Sequence, residues 1–365
     1  MIREINNKKD LKRFIYYVKD LYKDNPHYIY PLFSILFKEL RKEVIEEKNY
    51  TAILSLNEKD EIYGRLLYRI EFNEKEKRNV CYFSYFDLIN SESVARELLE
   101  YMEVKMQEKG VNHSEGSFTP YDPDNRRGIL INNFDCDPMI FTSYNMDYIP
   151  SLLENYGYTK TRDTFSMEPQ INEKNRKKLD SLGRFFERRH DVRVDYLDFK
   201  HLDKEIEDIH TILKEADNEH IYQETPSIEL IRSVASNLKF FLDKRIIRIA
   251  RENETNRPIG FCFCLHDFNQ VFKILKGKVR PLRMLLLKKK ITKARGMMQY
   301  VVPDYQGNGL IGYIFMKIFA EFENIGITEF EAGTMMEDNT KPMSVFEKLG
   351  GAVSKTYRIY GKDIL

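Results

Sequence analysis

The stretch Val301-Val302-Pro303-Asp304-Tyr305-Gln306-Gly307-Asn308-Gly309-Leu310-Ile311-Gly312 joins an apolar, strand-like run to a long amphipathic segment through a turn punctuated by glycines. Glycine permits positive φ and lets a ligand approach the backbone, and the first amides of a helix have no partner inside it. The chemistry served by that combination is anion binding. The spacing fits neither the dinucleotide fingerprint nor the Lys-containing nucleotide-phosphate loop, because only two glycines fall in register and no Lys-Ser/Thr pair follows.

Gln306-Gly307-Asn308-Gly309-Leu310-Ile311 resembles the Gln/Arg-x-x-Gly-x-Gly/Ala pyrophosphate loop of the GNAT superfamily of N-acetyltransferases, preceded as usual there by a Val-x-Pro-x-Tyr strand end. Asn339-Thr340-Lys341-Pro342-Met343-Ser344-Val345-Phe346-Glu347-Lys348-Leu349-Gly350-Gly351 looks like that superfamily's second signature, Asn-x-x-Ala-x-x-Leu-Tyr-x-Lys-x-Gly-Phe. The two occur in the right order and at a fitting separation. The resemblance implies acetyl-CoA or another acyl-CoA as cofactor and direct transfer of the acyl group to an amine. It places the pyrophosphate on the amides of Gly307, Asn308, Gly309 and their neighbours, framed by Gln306, with Leu310 and Ile311 opening the helix behind. Val301 and Val302 would splay from the next strand and pair with the pantetheine arm, which Asn339 helps to hold.

Three positions depart from the pattern. Ile311 stands where the loop usually has a small residue, Pro342 replaces an Ala, and Phe346 replaces a Tyr that often protonates the leaving thiolate. Proline is acceptable at a helix start, whereas phenylalanine cannot donate a proton. Ser344, Tyr357 and Tyr360 are the nearby hydroxyls that could serve instead, as could water. No motif fixes the general base; His266 and Asp267 at a strand end, with Asn269 beside them, and Glu331 on the strand facing the glycine-loop strand are the candidates. No metal site is expected.

For such a loop to work, a buried strand must deliver it and a long helix must begin at it. Residues 297–302 are apolar enough for the strand, and 310–322 carry apolar residues at helical spacing. Farther upstream, Asp10 can cap a first helix, residues 51–56 and 62–72 read as a hairpin, 81–88 as a strand, and Ser91 or Ser93 as the cap of a helix ending near Gly110.

The same order returns after residue 190. Residues 62–73 align without gaps on 258–269, and 83–111 on 299–327, pairing Gly110 with Gly326. The expected fold is therefore α/β (α+β): two tandem GNAT-like domains, each a mixed, mostly antiparallel sheet flanked by helices. The expected division is 1–170, a charged linking segment at 171–190 that is either a packed helix or a looser connection, and 191–365. In the first copy Asp87-Leu88-Ile89-Asn90-Ser91-Glu92-Ser93 replaces the glycine loop, and carboxylates there would repel a pyrophosphate. That copy reads as degenerate, with the role of shaping the acceptor site. His27, Tyr28, Tyr30, Tyr121, Tyr144 and Tyr148 could line a substrate cavity or simply pack.

A chain of 365 residues accommodates two domains, and 58 Lys+Arg against 57 Asp+Glu gives no net field that favours nucleic acid. Cys81, Cys136, Cys262 and Cys264 sit in apolar surroundings and read as buried thiols of a cytoplasmic protein. No run is long and apolar enough for stable membrane insertion. Residues 270–295 form an insertion that is basic and apolar at once; it reads as a helix whose apolar face covers the core or a cleft, against the alternative of a membrane-surface or nucleic-acid helix. The acceptor expected from the resemblance is a small amine or amino-acid-like molecule, and the oligomeric state is not legible. Two competitors stand beside N-acyl transfer: a non-catalytic acyl-CoA-binding or sensing protein, and an aminoacyl transferase of tandem-GNAT type, which would need a long helical arm.

Overall fold

A computed structural model describes residues 1–118, 127–216 and 226–364, so Tyr121 lies outside the described residues. In chain order the elements are β1 (Ile2–Glu4), α1 (Lys8–Tyr16), α2 (Val18–Leu21), α3 (Phe33–Leu40), β2 (Thr51–Leu56), β3 (Ile62–Asn73), β4 (Arg78–Leu88), α4 (Glu92–Glu108), β5 (His113–Gly116), β6 (Ile129–Leu130), α5 (Ile149–Asn155) and β7 (Thr159–Glu168). There follow α6 (Glu173–Glu187), β8 (Val192–Tyr196), α7 (Leu202–Glu215), α8 (Ile228–Leu238), β9 (Ile247–Glu252), β10 (Pro258–His266), α9 (Asn269–Leu275) and α10 (Pro281–Lys288). The last are β11 (Lys293–Val301), α11 (Leu310–Ile325), β12 (Glu329–Met336), α12 (Thr340–Lys348) and β13 (Ala352–Asp363).

Two compact units emerge, and they do not follow the linear division of the repeat. The first comprises residues 1–165, 269–285 and 355–365; the second comprises 166–268 and 286–354. Most of the C-terminal strand thus belongs to the first unit, where β13 runs antiparallel to β5, with Tyr360 opposite Gly116.

Each unit repeats one strand order. In the first, β1, β2, β3 and β4 are successive antiparallel neighbours and β4 pairs parallel with β5. In the second, β8, β9, β10 and β11 are successive antiparallel neighbours and β11 pairs parallel with β12. Helix ends repeat as well. Gly110 (φ 68°) and Gly326 (φ 74°) are both left-handed, and the amides of Val111 and Ile327 return to the carbonyls of Met106 and Phe322. Such a closure needs a residue without a Cβ penalty at positive φ. Gly64 and Gly260, aligned in the hairpins, let the strand approach the matched helix-start residues Val94 and Leu310.

Several local expectations change. Asn7, rather than Asp10, caps α1, accepting a hydrogen bond from the Asp10 amide, so the helix starts earlier than its apolar pattern suggests. The charged 171–190 segment is mostly the helix α6, capped by Asn172 and burying Leu179, Gly183 and Phe186. A Cβ at Gly183 would collide with Met316 of α11, and Tyr313 of α11 donates to Glu187 at 2.8 Å. Cys81, Cys262 and Cys264 are buried free thiols, but Cys136 is exposed, because it lies between Asp135 and Asp137 in an irregular stretch that keeps its charges in water. No described helix is long and apolar enough to cross a membrane.

Candidate functional site

The second unit delivers the glycine loop as a rigid base with an open tip. Val301 and Val302 are buried, and the Val302 amide bonds to the carbonyl of Ile259 at 3.0 Å. Tyr305 donates to Glu252 at 3.0 Å, Gln306 Nε2 to the carbonyl of Val301 at 3.1 Å, and Asn308 Nδ2 to the carbonyl of Asp304 at 3.2 Å. Gln306 and Asn308 therefore frame the loop by bracing its stem. At the tip Gly307 (φ 76°) and Gly309 (φ 100°) are left-handed and exposed, and a Cβ built on either, or on Gly312, would meet nothing within 4 Å.

Gly309 is the N-cap of α11 and supplies no side-chain cap, so the first amides of that helix face the open tip. Leu310 anchors the helix start in the core, and Ile311 is half-buried beside the tip. The helix dipole and N–H groups without an intrahelical partner give this tip the chemistry that suits an anion.

Beside the loop, β11 and β12 part. Their parallel ladder runs from Lys293 opposite Glu329 to Gly296 opposite Ala332 and goes no further among the described residues. A register irregularity against β10 falls at the same place, where Phe263 pairs with Met298 but Cys264 with Gly296. Beyond the ladder β11 carries Gln299, whose side-chain oxygen is buried without a hydrogen-bond partner among the described residues. Arg295, fully buried at the vertex, donates to the carbonyl of Gly333 at 2.7 Å. An extended arm with amide groups fits such a fork, because unpaired strand edges take hydrogen bonds from a ligand.

His266 and Asp267 close β10 and are both buried. His266 Nε2 lies 3.1 Å from Asp243 Oδ2, and its Nδ1 is buried with no hydrogen-bond partner among the described residues. Burial pushes the Asp243 carboxyl up, but hydrogen bonds from His266 and from Arg245 outweigh this and hold it far below the usual carboxylate range. Asp243 fixes the ring and leaves Nδ1 as the free acceptor when Nε2 carries the proton. Glu331 is fully buried opposite Arg295 in the β11–β12 register.

Phe346, on α12, is 1% exposed and packs edge-on against Phe315 at 5.3 Å, inside a cluster with Phe319, Phe322 and Phe330. Asn339 is the N-cap position of α12 without a side-chain cap, its amide bonding back to the carbonyl of Met336 at 2.9 Å, and Ser344 is half-buried on the same helix. Tyr357 and Tyr360 belong to the first unit, where the Tyr360 hydroxyl is spent on Glu154 at 2.8 Å. In that unit Tyr22 is core, Tyr28 stacks on it at 3.7 Å and Tyr144 packs against both, the latter two half-buried.

Sequence reasoning missed Asp243, Arg245 and Arg295. Asp243 reaches His266 only through the hairpin of β9 and β10, and no spacing rule encodes that contact. Arg295 precedes the apolar run 297–302, in a stretch that also carries Lys293, so no spacing set it apart.

The repeated strand order, the parted strands and the open glycine loop are those of a tandem GNAT fold, which solved structures share. The chain matches a fungal glucosamine N-acetyltransferase region at a TM-score of 0.60 and 11% identity, covering 99% of this chain and 38% of that one. It also matches a tandem GNAT protein of the clavulanic acid biosynthesis pathway at a TM-score of 0.56 and 9% identity, covering 100% and 98% of the two chains. By sequence it is similar to the bacterial ceramide synthase of Caulobacter vibrioides, 24% identical over 378 residues that span 97% of this chain and 95% of that protein. Protein YghO of Escherichia coli is likewise 24% identical, over 392 residues spanning 100% and 95%. No family model matches the chain.

Proposed function

We propose that the protein is an acyl-CoA-dependent N-acyltransferase whose second copy, within 191–365, holds the acyl-CoA, while the first, within 1–170, has given up that task. The observation that carries this reading is the open loop at Gly307 and Gly309, set at an uncapped helix start beside parted strands. Acyl-CoA would supply the acyl group as a thioester. The amine nitrogen bonds to the carbonyl carbon, the C–S bond breaks, the amine proton passes to a base, and the departing sulfur takes a proton.

The chain's own residues serve these steps as follows. The amides at 307 to 312 hold the pyrophosphate, and the freed edge of β11 aligns the arm. His266, held by Asp243, accepts the amine proton at Nδ1 directly or through one water. Phe346 offers no proton, which leaves Ser344 or water for the sulfur; a thiol titrates at about 8.5, so the thiolate is a tolerable leaving group.

Acetyl-CoA with a small or amino-acid-like amine is the simplest donor and acceptor pair. The full-length likeness to a protein named for ceramide synthesis supports a longer acyl chain and a lipid-like amine instead, since a ceramide is the amide of a fatty acid with a long-chain amino alcohol. The test is thiol release from acetyl-CoA and long-chain acyl-CoAs across a panel running from small amines to long-chain amino alcohols. Release with none of these pairs would contradict the proposal. One observation favours a second reading, acyl-CoA binding without turnover: the buried phenyl ring at the acid's position. Tight binding without thiol release would select it.

A further inference from the structure

Between Asp267 and Asp304 the chain has no acidic residue, and Lys and Arg recur throughout. The sequence pattern of this insertion reads as a helix whose apolar face covers the core or a cleft, against a membrane-surface or nucleic-acid helix. The structure shows otherwise for α10. Leu282, Leu285 and Leu286, at i, i+3 and i+4, share one helix face and are 79%, 51% and 70% exposed, whereas Met284 alone of that helix is buried. Ile274 and Val279 are exposed nearby.

Around them Lys276, Lys278, Arg280, Arg283, Lys289 and Lys290 are exposed and form no ion pair with a described residue. Lys288 is the exception, its ammonium donating to the carbonyl of Phe240 at 3.0 Å. The stretch leading to α10 is firmly seated. Lys273 pairs with Asp137 at 2.5 Å, Val271 and Leu275 are buried, and Gly277, at φ 78°, sits where a Cβ would strike Phe33. The leucines are thus held outward by a braced support.

We infer that α10 and the turn before it dock on the surface of an anionic lipid bilayer, the leucines entering the acyl boundary and the cations meeting the headgroups. Both halves of the patch point to this occupant. A nucleic acid would use the cations and gain nothing from the leucines. A second copy packed by two-fold symmetry would set the same uncompensated cations against each other. The inference goes beyond acyl transfer and does not rest on it, because vesicle binding is read without turnover.

The test is co-sedimentation of the full chain with vesicles of phosphatidylcholine alone or mixed with phosphatidylglycerol. Each Lys or Arg near an anionic leaflet strengthens partitioning about fivefold, so binding to the mixed vesicles should exceed binding to neutral ones by more than about tenfold and weaken with added salt. The variant Leu282→Ser/Leu285→Ser/Leu286→Ser should melt as the wild type does and bind at least about tenfold more weakly. Equal partitioning to both vesicle types, or wild-type binding by the variant, overturns the inference. So would a dimer that the variant dissociates, or a shifted RNA or DNA duplex without vesicle binding.

Discussion

At the corner between β4 and α4, Arg65 grips Asp87 at 2.5 and 2.8 Å, Tyr22 donates to the same carboxylate, and Tyr148 covers the carbonyl of Leu88. Ser91 takes the amide of Val94, closing the helix start. At the corner between β11 and α11 the aligned positions of Ser91 and Ser93 are Gly307 and Gly309, and no side chain caps the helix. The sequence suggests that acidic residues in the first copy repel a phosphate. The structure gives a different reason, since Asp87 is neutralised in the core and the first corner is closed by its own side chains. One geometry, repeated, is self-satisfied in one half and open in the other, and openness is what a ligand site requires.

The sharpest way to break this contrast is to fill the open corner. Gly309→Glu places a carboxylate at a left-handed cradle position and should reduce turnover with any accepted acyl-CoA by more than about a hundredfold, while Ser93→Glu at the matched exposed position leaves it within about twofold. Loss of the base comes next. His266→Gln should lower kcat by about a hundredfold or more with KM for acyl-CoA little changed, and Asp243→Asn should lower it less and move the acidic limb of the pH–rate profile.

Asp243 also has a signature in stability. Its carboxyl is held below its ordinary value, so its contribution is fully present above about pH 4 and is lost as pH falls from there toward the folded-state value. The melting-temperature gap between wild type and Asp243→Asn should therefore be widest near neutrality and close in acid. Phe346→Tyr would bury a hydroxyl among phenyl rings, costing about 1–3 kcal/mol in denaturant unfolding without raising turnover. A gain in turnover would restore the acid to that position. The smallest effect is expected from Ser91→Ala, which removes a cap for about 1 kcal/mol of stability and leaves acyl-CoA binding unchanged.

Much of this contrast was legible beforehand because glycine, proline and apolar period are local. The hairpins, both helix-ending glycines and the loop at 306–309 could be read from residue type and spacing alone. Partnerships across the chain could not. The tie between His266 and Asp243, the burial of Arg295 and the return of β13 to the first unit depend on tertiary pairing, which no short pattern carries. The outward leucines of α10 depart from the expected covering face for a similar reason, since helical periodicity shows that a face exists and not which way it points.

The central claim is that the loop of the second copy alone cradles the cofactor. Titration calorimetry of acetyl-CoA and a long-chain acyl-CoA into the wild type, Gly309→Glu and Ser93→Glu tests it directly. The account predicts saturable heat for the wild type and for Ser93→Glu with at least one donor, and none for Gly309→Glu. Equal heats for all three proteins would contradict it.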